Sequence, residues 1–273
     1  MAVEQLPSAR NLGGQCMARR IVDLSVSLKA GIPSDPPPLL PKIQYFDHDH
    51  GAKDFAPMVG LAPSQMLDGK GPASEELEVT THAGTHMDAP WHYHPTMNNG
   101  ERAITIDEVP LEWCMGPGVK LDFRHFPDGH VVKASEVEAE LKRIGHELAP
   151  GDIVLVNTSA GLRYGEDDYL ARGCGMGREA TLYLTTRGVR VCGIDAWSWD
   201  APLKHQREAI ARTGNASLFW EGHKAGAEIG YCHIEKLSNL EQLPATGYTV
   251  CAFPVKVERG SAGWVRAVAI FED

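Results

Sequence analysis

The sequence predicts a mixed α/β domain with two layers of sheet. Three observations carry this reading. Apolar, β-branched runs alternate with a helical pattern in the middle of the chain, at 153–156, 178–187 and 189–194. Two β-rich runs, 248–255 and 264–271, close the chain and read as an antiparallel pair. No internal repeat or low-complexity linker divides the 273 residues, a length that one large domain can use. Residues 1–20 read as a loose N-terminal arm and 21–273 as a single domain.

Taken in order, the first strand is expected at 21–28. The stretch 33–41, with Asp35-Pro36-Pro37-Pro38, reads as an extended loop, because proline restricts φ and donates no N–H. From there to Gly71 the chain is rich in Asp, His, Gly and Pro, which predicts a long excursion. Such excursions are often lids or partner contacts. Residues 77–81 alternate and are β-branched, so a strand is expected there, and another at 119–123. Residues 135–144 predict a helix: Ser135 and Glu138 have capping-box spacing, and Val137, Leu141 and Ile144 share a face. The run at 153–156 is an apolar strand, 178–187 a helix stopped by Gly188, and 189–194 the next buried strand.

Hydrophobic residues make up 43% of the chain, an ordinary globular value that supports a sizeable core. The formal charge of −10 disfavours nucleic acid and anionic membranes as partners, since phosphate binding needs concentrated Lys and Arg. No apolar run is long enough for a transmembrane helix, and the first residues lack the apolar region of a secretory signal. Cys16, Cys114, Cys174, Cys192, Cys232 and Cys251 form no C-x-x-C pair. Free thiols in a reducing cytoplasm are the expectation.

The most informative stretch is His82 to His92, HAGTHMDAPWH. It holds His82, His86, Asp88 and His92 together, with Gly84 and Pro90 between them. Neutral imidazoles and an ionised carboxylate this close are the ligand set of a divalent metal. Gly84 and Pro90 interrupt any helix, so we expect a strand that ends in an irregular loop curling around an ion.

This stretch matches the H-x-G-T-H-x-D-x-P-x-H signature of the cyclase family, metal-dependent hydrolases that include bacterial kynurenine formamidase and isatin hydrolases. Every defined position is present: His82, Gly84, Thr85, His86, Asp88, Pro90 and His92. A second family signature, a His and a Glu twelve residues apart, is matched by His223 and Glu235 in HKAGAEIGYCHIE. Asp23-Leu24-Ser25 resembles the family's opening strand and Gly193-Ile194-Asp195 its late central strand. The resemblance implies the swivelling β/β/α fold as one domain, assembled as a homodimer or homotetramer. It implies His82, His86 and Asp88 as ligands of a first metal. Asp88, His223 and Glu235 would serve a second, with Asp88 bridging. His92 would be the general acid/base, while Gly84 and Thr85 shape the loop. Members resemble two-zinc or single-manganese enzymes, so the implied cofactor is zinc or manganese, one or two ions. The 33–71 region is longer than in typical bacterial kynurenine formamidases.

A cation with three protein ligands keeps positions open, and water there loses a proton near neutral pH. Hydroxide would attack a carbonyl, and His92 would pass a proton to the leaving nitrogen or oxygen. The expected reaction is hydrolysis of an amide, lactam or lactone in a small cyclic or aromatic substrate. Arylformamidase activity on N-formylkynurenine is the alternative, set back by the long 33–71 region. Two further readings are weaker. His86-x-Asp88 with His223 imitates the facial triad of a non-haem iron oxygenase, but leaves His82, His92 and Glu235 without a role. A purely structural metal would favour a closed, Cys-rich site, and this one has no Cys and a spare His. Trp91, and also Trp197 and Trp199, could line a pocket for a planar substrate. His48-Asp49-His50 reads as an exposed loop, and His94 as a packing or hydrogen-bonding neighbour of the motif. His125, His130, His146 and His205 read as exposed or capping residues.

Overall fold

The apolar runs in the middle of the chain become the parallel centre of a nine-stranded sheet in a computed structural model that describes residues 19–272. Its strands are β1 (Arg19–Asp23), β2 (His86–Asp88), β3 (Met115–Asp122), β4 (Ile153–Asn157) and β5 (Val191–Ile194). They continue with β6 (Cys232–Glu235), β7 (Thr249–Cys251), β8 (Ala262–Trp264) and β9 (Val268–Glu272). The order is β1-β9-β7-β3-β4-β5-β6-β2-β8. β3 to β6 are parallel, and every other pairing is antiparallel. The helices are α1 (His48–Phe55), α2 (Pro90–Tyr93), α3 (Ala134–Ile144), α4 (Arg178–Thr185), α5 (Leu203–Thr213) and α6 (Glu221–Lys224).

The sheet cannot be flat. β8 lies at one edge and β9 next to the other, yet only residues 265–267 join them. Seven inter-strand steps of about 4.8 Å would put them roughly 34 Å apart in a flat sheet. The linker can reach about 14 Å. The sheet therefore curls back as a half-barrel, and the segment after β1 meets the segment after β6, where Ser238 N–H donates to the Leu24 carbonyl (2.8 Å). The two expected layers are one mixed sheet folded towards itself.

Curling gives each central strand two buried faces, which is why these strands read as unbroken apolar runs. In β4, Ile153 and Leu155 join the core inside the curl, with Met87, Val191, Ile234 and Val250. Val154 and Val156 join the core under α3 and α4, with Val137, Leu141, Ala180 and Leu184. Cys114, Cys174, Cys192 and Cys232 are buried free thiols, as expected; Cys16 lies outside the described residues. The 1–20 arm also lies outside them, except that Arg19 and Arg20 already belong to β1. No helix among the described residues is long and apolar enough to cross a membrane.

Several expectations shift. The first strand ends at Asp23 rather than at 28, because the Asp23 carboxylate turns the chain by accepting from Ser25 N–H (3.1 Å). α3 is capped two residues earlier than expected: Glu136, not Glu138, accepts from Lys133 N–H (2.8 Å). The 33–71 excursion is partly regular. It contains α1, and its strand Lys42–Phe46 pairs with Ser74–Glu78 in a separate hairpin. That hairpin takes the place of the strand expected at 77–81. The closing antiparallel pair forms in part. The 264–271 run breaks in two, and only β9 pairs with β7; β8 crosses to β2 at the far edge.

Candidate metal centre

The register of two short strands assembles the centre. β2 and β6 are antiparallel neighbours, with Asp88 opposite His233 and His86 opposite Glu235. Residues two apart in a strand share a face, so these four side chains converge. The irregular loop expected for the motif is therefore half regular: His86 and Asp88 sit on a strand, and Pro90 opens the helical turn α2 that turns His92 back. Gly84, at φ +63°, turns the chain before β2 and lets His82 face Asp88. Thr85 shapes this turn, donating to the Lys236 carbonyl (2.7 Å) and accepting from Val26 N–H (2.9 Å). α6 supplies His223.

The six residues named from the sequence as ligands or acid/base gather at Asp88 in two groups, His82 and His92 with Asp88 on one side and His223 and Glu235 with Asp88 and His233 on the other, while His86 approaches both carboxylates. Asp88 is fully buried, and its two oxygens face two groups. Oδ1 lies 2.9 Å from His82 Nδ1 and 3.3 Å from His86 Nε2. Oδ2 lies 3.1 Å from His233 Nε2 and 3.8 Å from His92 Nε2. Glu235 Oε1 lies 3.2 Å from His233 Nε2 and 3.8 Å from His223 Nε2, and Oε2 lies 3.6 Å from His86 Nε2. Hydrogen bonds aim the rings. His86 Nδ1 meets the Gly84 carbonyl (2.9 Å) and His223 Nδ1 the Asp200 carboxylate (2.5 Å), so both Nε2 atoms point inward as lone-pair donors.

Four atoms test whether a cation fits. His86 Nε2, both Asp88 carboxylate oxygens and His233 Nε2 are buried without a hydrogen-bond partner. Buried polar atoms without partners are rare and destabilising, and these four lie around the Asp88 carboxylate, His86 Nε2 beside Oδ1 and His233 Nε2 beside Oδ2. Their donor set of imidazole nitrogens and carboxylate oxygens suits zinc or manganese. The residues present fit the metal that the sequence motif implies.

The electrostatics agree. Burial opposes ionisation of Asp88, but His86, His92 and His82 outweigh it and hold the carboxyl well below the usual range. Glu235 is lowered in the same way, chiefly by His233 against burial. Burial would depress His233, but the carboxylates of Asp88 and Glu235 outweigh it and raise it to about 9, so their charge calls for a positive partner at this ring, a proton or a metal ion. His92 is pushed down to about 4, first by burial and then by His82 and His223. Its imidazole is neutral at pH 7 and able to accept a proton.

Four residues here were not anticipated. His233 stands between the two carboxylates. Asp200 accepts from Gly222 N–H (2.7 Å), His223 N–H (3.1 Å) and His223 Nδ1. Tyr93 bonds the Asp88 carbonyl and His233. Trp220 stacks on His223 at 4.4 Å and lies 5.4 Å from the His92 ring. Two signals were present. His233 is two residues before Glu235 in an apolar strand pattern, and Asp200-Ala201-Pro202 repeats Asp88-Ala89-Pro90.

The other tempting residues scatter. Trp91 is 42% exposed. Trp199 is a core residue, its indole N–H on Thr181 Oγ1 and its backbone N–H on Glu235. Trp197 donates to Asp35, which also pairs with buried Lys236 beside the site, so the proline-rich loop is anchored at the rim. His48 and His50 open α1 rather than a loop, with His50 3.2 Å from Asp54. His94 is exposed and bonds Thr96 instead of packing against the motif.

Comparison with known proteins identifies the family. The profile of the cyclase family, described as "Putative cyclase", matches residues 22–201, more than half of the chain. The kynurenine formamidase of Salinibacter ruber is 29% identical over 193 residues, covering 70% of this chain and 77% of the relative. The isatin hydrolase of Roseibium aggregatum is 25% identical over 237 residues, covering 80% and 84%. The structure of isatin hydrolase A from Ralstonia solanacearum superposes with a TM-score of 0.72 at 23% identity, covering 93% of this chain and 92% of that one.

Proposed function

This chain belongs to the cyclase family, and on that premise we propose that it is a metal-dependent hydrolase of an amide, lactam or lactone bond in a small cyclic or aromatic substrate. The observation that carries the proposal is the set of unpartnered buried atoms of His86, Asp88 and His233, gathered on the two oxygens of one carboxylate. His82, His86 and Asp88 would hold a zinc or manganese ion, and Asp88, His223 and Glu235 a second. Such a cation supplies Lewis acidity toward a carbonyl and lowers the pKa of a water.

The chain's own residues do the rest. His92 is 22% exposed, neutral, and within reach of the space beside Asp88. It takes a proton at Nε2 and returns it to the leaving nitrogen or oxygen, the role of a general base and then acid. Trp220, stacked on both His223 and Phe219, forms an aromatic wall beside His92 that holds the His223 ring in place. Asp200 and the Gly84 carbonyl orient His223 and His86. Two relatives carry names, kynurenine formamidase and isatin hydrolase, that denote C–N hydrolysis on aromatic compounds. A cyclic amide or lactone is the first choice, because Asp35 in the extended 33–71 region is tethered to Lys236 beside the site. N-formylkynurenine is the second choice, supported by the Salinibacter ruber relative.

The test is a hydrolysis screen of the zinc- and manganese-loaded protein against isatin, an aromatic lactone and N-formylkynurenine. A parallel arm contains iron and 2-oxoglutarate. Metal-dependent hydrolysis of one of the three is expected. Full metal content with no hydrolysis would favour a structural metal. Consumption of 2-oxoglutarate would favour an oxygenase.

A further inference from the structure

We propose that His233 is a metal ligand, and that Asp88, His223, His233 and Glu235 form a closed four-residue site beside an open one made by His82, His86 and Asp88. This rests on the reading above that the centre holds metal.

The hydrogen bonds around His233 decide which of its nitrogens is bare. Its Nδ1 lies 3.0 Å from Tyr93 Oη and 3.3 Å from Tyr231 Oη. Both hydroxyl protons are already committed: Tyr93 donates to the Asp88 carbonyl (3.2 Å) and Tyr231 to the Gly222 carbonyl (2.8 Å). Only the hydroxyl lone pairs face Nδ1, so Nδ1 carries the proton and donates it. In the neutral ring Nε2 is then an unprotonated lone pair. It faces Asp88 Oδ2 at 3.1 Å and Glu235 Oε1 at 3.2 Å, two further acceptors. Three acceptors at such separations repel unless a cation lies among them.

Two cations are available in principle, a proton on Nε2 or a metal ion. A protonated Nε2 would point its N–H along a line to one carboxylate oxygen. Neither contact has hydrogen-bond alignment, and Nε2 counts among the unpartnered buried atoms. The separations fit a metal. Zinc takes nitrogen and oxygen ligands at about 2.0–2.2 Å, so in a tetrahedral arrangement the ligand atoms lie roughly 3.3–3.6 Å apart. The three observed contacts among the four residues are 3.1, 3.2 and 3.8 Å, and all four ligand atoms lie within 4.8 Å of one another.

The consequence is a division of labour. Four protein ligands close a zinc sphere, whereas three leave room for water and substrate. The ion at His233 would be a retained charge that neutralises Asp88 and Glu235. The ion at His82 and His86, whose neighbour is His92, would be the exchangeable one where chemistry occurs.

The experiment is metal stoichiometry, before and after dialysis against a chelator, for wild type and for His233→Leu. Loaded wild type should bind two ions per chain and retain one against the chelator. His233→Leu should lose the retained ion, with affinity there falling by about 100-fold or more, beyond the 10–100-fold typical of an outer partner. A cobalt-substituted wild type should show the intense visible bands of a four-coordinate ion, a readout that does not depend on the variant folding. At most one ion per chain in loaded wild type, weak cobalt bands, or unchanged retention in His233→Leu would overturn this assignment and leave a one-metal hydrolase. No binding under any loading would instead overturn the metal-dependent reading as a whole.

Discussion

Asp200→Asn is the sharpest probe of how the centre is oriented, because Asp200 reaches the site only through His223. The carboxylate is 4% exposed and accepts three hydrogen bonds, from Gly222 N–H through Oδ1 and from His223 N–H and Nδ1 through Oδ2. Asparagine has one acceptor oxygen. Its best rotamer keeps that oxygen on His223 and turns its amide against Gly222 N–H. One hydrogen bond to a charged group is lost, worth about 1.5–3 kcal/mol, and one buried donor is left unsatisfied. Together the loss should be about 2–4 kcal/mol, a large share of a marginal stability. For a domain of this size that corresponds to a fall in Tm of roughly 4–8 °C. The ring also loses its anionic partner, so metal affinity at His223 should weaken about 10–100-fold. Thermal unfolding of the metal-free protein and metal competition with a chromophoric chelator measure the two effects separately. A Tm within a degree or two of wild type, with affinity within threefold, would refute the orienting role.

Asp88→Ala should lose metal and hydrolysis together, since each oxygen faces a different ligand group; a fully metallated, active variant would sink the bridging assignment. His92→Ala should keep most of its metal by elemental analysis while kcat falls about 10²–10⁴-fold. Metal loss in proportion to activity would make His92 a ligand instead. Asp195 supplies a pH test away from the metal. Burial raises it to about 7, outweighing hydrogen bonds from Thr158 and Asn157. A carboxyl held above its unfolded value stabilises the fold fully below about pH 4, and that contribution is lost as pH rises through about 7. The stability advantage of wild type over Asp195→Asn, from denaturant melts, should therefore shrink between pH 4 and 7. An advantage that grows across this range would contradict the assignment.

Local chemistry was legible where it depends on near neighbours in the chain. The apolar periodicity of α3 showed its buried face through Val137 and Leu141, and the β-branched runs marked β3, β4 and β5. α5 had no such signal, because only Gln206 of its eleven residues is buried. The excursion concealed a hairpin whose Ser74–Glu78 strand is exposed along its length, so no burial pattern marked it.

The ligand chemistry of His82, His86, Asp88 and His92 was determined by the sequence, because four donors within eleven residues point to a cation wherever the chain folds. Tertiary structure alone decided the rest of the centre. His233 became part of it through the β2–β6 register, which sets it opposite Asp88 across 145 residues. Asp200 became part of it by meeting the backbone and ring of His223 on α6. The curl of the sheet was decided the same way, by a three-residue link between β8 at one edge and β9 next to the other. The physical reason is the same throughout: ligand type follows from side-chain chemistry, which is local, while orientation and tautomer follow from hydrogen bonds whose partners are distant in the chain.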